Sequence, residues 1–149
     1  MLEIREFETM DALQQAMGQD ELVDFLHTHL GRFGDDKASI GRCIEYAVAG
    51  KPGTGGFILT GHEPDGRLVG ALVMNETGMM GYIPENILVY VAVDASCRGK
   101  GYGGTICRHA MEKADGDVKL HVEYDNPAKR LYERLGFTNK YAEMRWNAD

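Results

Sequence analysis

The chain has 149 residues, 44% hydrophobic and 26% charged, with a formal net charge of −7. That is one globular domain's worth, residues 1–149, with enough apolar side chains for a core. The negative balance argues against a nucleic-acid partner, which needs a basic face, and favours a cationic one. No apolar run reaches the length of a membrane span, and Met1–Glu6 does not read as a secretory signal. Three cysteines without CxxC spacing (Cys43, Cys97, Cys107) and five scattered histidines offer neither a disulfide framework nor a metal set. The expectation is a cytoplasmic chain with no metal and no membrane contact.

In chain order, Leu2, Ile4 and Phe7 alternate with charged residues and predict a first strand. Residues 10–30 predict one or two helices, with Gly18 as the break. Gly31–Gly34 is a loop, and Asp35 or Asp36 can cap a helix running to about Val48. Gly50–Gly56 is a glycine-rich loop. Phe57–Thr60 and Arg67–Asn75 read as two strands joined by the turn Glu63-Pro64-Asp65-Gly66. Residues 76–84 are a loop rich in Gly and Met. Ile87–Val93 is a continuous apolar run, as in a strand buried on both faces. A helix follows, with Ile106, Ala110, Met111 and Ala114 on its apolar stripe. Val118, Leu120 and Val122 alternate as a further strand. Pro127 suits the first turn of a helix ending near Leu135, and Lys140–Trp146 predicts a last strand. The helix between the strands at 87–93 and 118–122 implies that these two run parallel.

The chemistry is concentrated where the apolar strand meets Arg98-Gly99-Lys100-Gly101-Tyr102-Gly103-Gly104-Thr105. A strand, a glycine-rich turn and a helix start form a phosphate cradle: glycine lets backbone approach the ligand, and the first helical N–H groups face an anion. Gly99, Gly101 and Gly104 also spell GxGxxG, with Glu123 as the distal acid of a dinucleotide fingerprint. Against that, Ala95–Arg98 separate the strand from the first glycine, and too little chain follows to complete a doubly wound domain. No GxxxxGK[ST] occurs.

Read as Arg-x-x-Gly-x-Gly, residues Arg98–Gly103 resemble the pyrophosphate loop of the GNAT superfamily of acyl-CoA-dependent N-acyltransferases. Asn126–Phe137, with its Leu131-Tyr132 pair and closing Gly136-Phe137, resembles that family's later helix. The resemblance covers about residues 67–146. It implies an α/β (α+β) fold: a mixed, mostly antiparallel sheet of six to seven strands, splayed at a central parallel pair and flanked by helices. It implies acetyl-CoA as co-substrate and an acetyl group passed directly to a primary amine of a small molecule, amino acid or peptide. The cofactor would lie along the backbone of Val91, Ala92 and Val93 and on the loop residues Arg98, Gly99, Lys100, Gly101, Tyr102, Gly103, Gly104 and Thr105. Asn126 would add a contact from the later helix.

An ammonium of pKa ~10.4 is only about one part in two thousand neutral at pH 7, so acyl transfer needs help with deprotonation. The leaving thiolate needs a proton or a hydrogen bond, and Tyr132 stands where the family places its general acid. The family's carboxylate base would fall at Ile87 here. Glu85 shares that strand face by parity and is the leading substitute; Glu123 and a water relay are the others. The missing carboxylate leaves a second possibility, a CoA-binding regulatory module without catalysis. A nicotinamide-dependent oxidoreductase is a third. A second copy of the chain is a candidate partner, able to complete the short C-terminal end of the sheet.

Overall fold

Alternating residues build the edge strand β1 (Glu3–Phe7), and Thr9 turns the chain into helix α1 (Met10–Ala16) by accepting the Ala12 N–H on its hydroxyl at 3.1 Å. The structure, a computed structural model, describes residues 1–50 and 55–148. Gly18 does separate α1 from α2 (Gln19–Leu30), and Asp36 caps α3 (Lys37–Ala47) through the Ser39 N–H at 2.7 Å. Of the glycine-rich loop expected at 50–56, residues 51–54 lie outside the described residues. Strands β2 (Gly56–His62), β3 (Leu68–Glu76) and β4 (Asn86–Val93) follow. The chain then forms α4 (Tyr102–Lys113), β5 (Val118–Leu120) and α5 (Ala128–Arg134).

The five strands form one sheet in the order β1-β2-β3-β4-β5. All neighbours are antiparallel except β4 and β5, which run parallel as the crossover helix requires. One face is covered by α1, α2 and α3, whose Leu13, Leu22, Leu26, Ile40 and Ile44 pack on Ile58, Val73 and Tyr90. The other is covered by α4 and α5: Ile106, Cys107, Ala110 and Tyr132 pack on Leu59, Leu72 and Met74. Helix α4 sits close to the sheet because Gly70 has no side chain; a Cβ there would come within 2.4 Å of the Ile106 side chain.

Four expectations change. Among the described residues the sheet has five strands rather than six to seven. Residues 140–146 form no strand and are exposed, because β5 ends at Leu120 and presents only three residues of ladder. Val122 therefore lies beyond the strand in which its alternation placed it. The run 87–93 is also not buried throughout: burial alternates, with Leu88, Tyr90 and Ala92 buried and Val89, Val91 and Val93 half-buried.

Candidate active site

The residues between β4 and the first glycine form a built corner. Asp94 accepts from the N–H and hydroxyl of Ser96 at 2.8 and 2.7 Å, and residues Ala95–Cys97 make one 3-10 turn. The end of α2 braces this turn. Arg98 donates to the His29 carbonyl at 2.7 Å, and the Ala95 N–H donates to His29 Nδ1 at 3.2 Å. Arg98 is thereby a strut between loop and helix.

Gly99 and Gly101 carry φ values of 88° and 81°, in the region that costs an L side chain strain, and nothing lies within 4 Å of where a Cβ would stand on either. Gly101 caps α4, whose first backbone bond runs from the Thr105 N–H to the Gly101 carbonyl at 3.1 Å. The N–H groups of Tyr102, Gly103 and Gly104 precede that bond and point out of the helix end. Thr105 turns its hydroxyl onto the same Gly101 carbonyl. Gly103 fits beneath Leu131 and Gly104 beside Leu131 and Arg108. Open space at the turn together with unpartnered amides fits a diphosphate.

Behind the loop, β4 has one free edge. Its pairing with β5 covers only Asn86–Leu88, whereas its pairing with β3 continues to Val93. Among the described residues, no strand lies on the β5 side of β4 from Val89 to Val93. The register with β3 steps from Val73 opposite Tyr90 to Met74 opposite Leu88, so Val89 is a bulge. In a regular strand Leu88 and Tyr90 would share a face; here Leu88 joins the α4 core and Tyr90 the core under α1–α3. Tyr132 stands on the α4 side, 8% exposed, edge-on to Phe137 at 5.9 Å between ring centres. Burial raises its phenol pKa above the ordinary 10, so it stays protonated at neutral pH. Among the described residues its hydroxyl has no hydrogen-bond partner.

A profile of the acetyltransferase (GNAT) family matches residues 10–137. The chain belongs to that family. No curated protein matches the chain. Solved structures share the fold over nearly the whole length. A transcriptional regulator from Bacillus halodurans C-125 is 20% identical with a TM-score of 0.70, covering 99% of this chain and 100% of that one. Glucosamine-6-phosphate N-acetyltransferase from Arabidopsis thaliana is 20% identical with a TM-score of 0.59, covering 100% and 99%. Ribosomal-protein-alanine N-acetyltransferase from Brucella melitensis biovar Abortus 2308 is 16% identical with a TM-score of 0.63, covering 99% of both chains. At these identities the likeness is one of fold. Family membership makes this chain an acetyltransferase with acetyl-CoA as its acyl donor.

Elsewhere in the acetyltransferase the candidate residues have partners of their own. Glu85 accepts the Asp117 N–H at 2.7 Å and the Gly81 N–H at 3.3 Å, and these bonds hold its pKa below the ordinary 4.5. A side chain on Gly116 would collide with that carboxylate, the Cβ coming within 2.3 Å of it. Asn126 uses its Oδ1 to accept the Ala128 N–H at 2.9 Å, shaping the start of α5. It also lines a cleft of about 500 Å³ with Tyr124, Lys129 and Arg130, and none of the glycine-loop residues borders that cleft. Lys100 lies 3.5 Å from Glu63, and Glu63 also receives Arg67 at 3.0 Å and the Tyr102 hydroxyl at 2.9 Å. Those contacts, Arg67 first, keep the Glu63 carboxyl low. Glu123 is exposed, and its carbonyl accepts the Asn126 N–H.

Glu63 and the Val89 bulge were invisible in the sequence. Glu63 sits in the β2–β3 turn, and only the antiparallel register carries it to the loop. No residue type at 88–90 marks the bulge. Cys97 is 1% exposed beside Arg67 at 3.1 Å, and Cys107 is fully buried, its thiol pushed up to about 12. Met74 is core, whereas Met79 and Met80 are exposed.

Proposed function

We propose that this acetyltransferase moves an acetyl group directly from acetyl-CoA to a primary amine at the free edge of β4. The observation that carries this is the coincidence of two features on one strand. Beyond Leu88 the edge is unpaired, and the same strand ends in a glycine turn whose amides are open. Bound acetyl-CoA supplies an activated thioester acyl group and a thiolate leaving group. The chain does the rest. Amides from Gly99 to Gly104 hold the diphosphate, with Lys100 adding charge from its place beside Glu63. Backbone groups of Val91, Ala92 and Val93 accept an extended pantetheine arm as an added strand. Backbone freed by the Val89 bulge faces the acyl carbonyl and polarises it. Tyr132 donates its unshared proton to the departing sulfur. Burial keeps the phenol protonated, so it first donates a hydrogen bond to the sulfur and passes the proton on as thiolate charge develops.

Glu85 enters as a positioning group: with both oxygens on backbone amides, it fastens the loop before β5 to the start of β4. The ammonium proton leaves through water, since Ile87 stands at the position of a strand carboxylate. Asn126 serves by setting the entry of α5, which carries Tyr132.

Calorimetric titration with acetyl-CoA and, separately, with NADH tests the assignment. Acetyl-CoA binding that disappears in Gly101→Glu, followed by amine-dependent thiol release, supports it. NADH binding without acetyl-CoA binding overturns the loop assignment. Acetyl-CoA binding without turnover on any amine would make the chain a CoA-binding regulatory module.

A further inference from the structure

Most arginines of this chain have partners. Arg5, Arg32, Arg67 and Arg145 pair with Glu3, Asp125, Glu63 and Glu143, Arg42 donates to the Ser39 hydroxyl, and Arg98 donates to the His29 carbonyl. Among the described residues, Arg108, Arg130 and Arg134 have neither a hydrogen-bond partner nor a carboxylate. All three lie on α4 and α5, the helices beside the glycine turn.

Arg108 follows Gly104 by four residues on α4, so the two share a face, and helical side chains lean toward the N-terminus. Gly104 has no side chain to block that path. A Cβ there would stand 3.3 Å from Nη1 and 3.7 Å from Nη2 of Arg108, and 3.6 Å from the Leu131 side chain. The guanidinium therefore sits at the first turn of α4, where the open amides are, on the seam between α4 and α5. Arg130 precedes Leu131 on α5 and lines the cleft of about 500 Å³ with Tyr124 and Asn126. Lys129, the other cation of that cleft, is 3.5 Å from Glu133. Arg134 stands one turn beyond Arg130 and does not border the cleft.

Besides its diphosphate, CoA carries a phosphate monoester at the ribose 3′ oxygen, with about two negative charges at neutral pH. A chain of net charge −7 repels that group unless local cations receive it. Two unpaired guanidinium forks flank Leu131, one beside the diphosphate amides and one on an open cleft, and such forks match a phosphate in shape and charge.

We propose that Arg108 and Arg130 together hold the ribose 3′-phosphate of the acyl donor and make the enzyme select CoA over its 3′-dephospho form. This deepens the cofactor assignment above and rests on the glycine turn holding the diphosphate. Calorimetric titration of the full chain with CoA and, separately, with 3′-dephospho-CoA tests it. The wild type should bind CoA at least about tenfold more tightly. Arg108→Gln and Arg130→Ala should each weaken CoA binding and leave 3′-dephospho-CoA affinity unchanged, and the preference should vanish in the double variant. Arg134→Ala should change neither affinity. Equal binding of both ligands by the wild type overturns the proposal and leaves the diphosphate assignment standing. An unchanged preference in either folded variant also overturns it. So does an equal loss of both ligands, the mark of a structural or diphosphate role, or a like loss of preference in Arg134→Ala, the mark of diffuse charge. Binding of neither ligand by the wild type removes the glycine-turn assignment together with the proposal.

Discussion

The two ends of β4 are built on opposite plans. At the first end, Asn86 sends its backbone N–H to the Asp117 carbonyl at 3.0 Å and its side-chain amide to the carbonyls of Asp115 and Asp117 at 2.9 and 3.3 Å. Glu85 returns the favour by accepting the Asp117 N–H. At the other end, Val89–Val93 hold only β3, and the glycine turn beyond them leaves its amides open. Parallel strands that part after three residues would fray if nothing held them. Here the polar groups of Glu85 and Asn86 clamp the junction, so the gap is a fixed feature of the fold.

Four changes would break or sharpen that contrast. At the open end, Gly101→Glu places a carboxylate where the diphosphate should sit and forces a side chain onto a φ of 81°. It should cost at least about a hundredfold in acetyl-CoA affinity by calorimetry, with the circular-dichroism spectrum unchanged. Tyr132→Phe should lower kcat by about tenfold to a hundredfold with acetyl-CoA affinity kept. Because no described residue bonds that hydroxyl, its urea midpoint should stay level or rise; a clear fall would mean a structural tyrosine. At the clamped end, Asn86→Ala removes the donor to two carbonyls and should destabilise the protein by about 1–3 kcal/mol in urea unfolding.

Glu85→Gln should have the smallest effect, and one that depends on pH. The folded carboxyl sits below its ordinary 4.5, so its contribution is present above that value and is lost as pH falls through the lower folded one. The stability difference between wild type and Glu85→Gln should therefore be full at pH 7 and vanish in acid. A difference that persists in acid would show that the charge is not its source.

The glycine turn was legible because its information is local: spacing of Gly99, Gly101 and Gly104 specifies a backbone shape whatever surrounds it. The same holds for the Gly18 break and the Asp36 cap. Arg98 was not legible as a strut, because its partner is a backbone carbonyl at His29 and a carbonyl leaves no trace in residue identity. The bond from the Tyr90 hydroxyl to Asp35 spans 55 positions, and only the packing of α2 and α3 on the sheet makes it. The bulge at Val89 turns on ladder register, which the uniform apolar run at 87–93 does not encode. Conversely, residues 140–146 read as a last strand yet have too little neighbouring edge on β5 to become one.

That C-terminal segment holds the molecule's single tryptophan, Trp146, 88% exposed, near Tyr141 and Met144, which are 78% and 91% exposed. The indole is consequently a lamp placed outside the core. Its emission will stay red in the native state and change little on unfolding, so fluorescence is a poor gauge of stability here. It is a sensitive gauge of contact: a blue shift as protein concentration rises would announce a second copy closing over the tail.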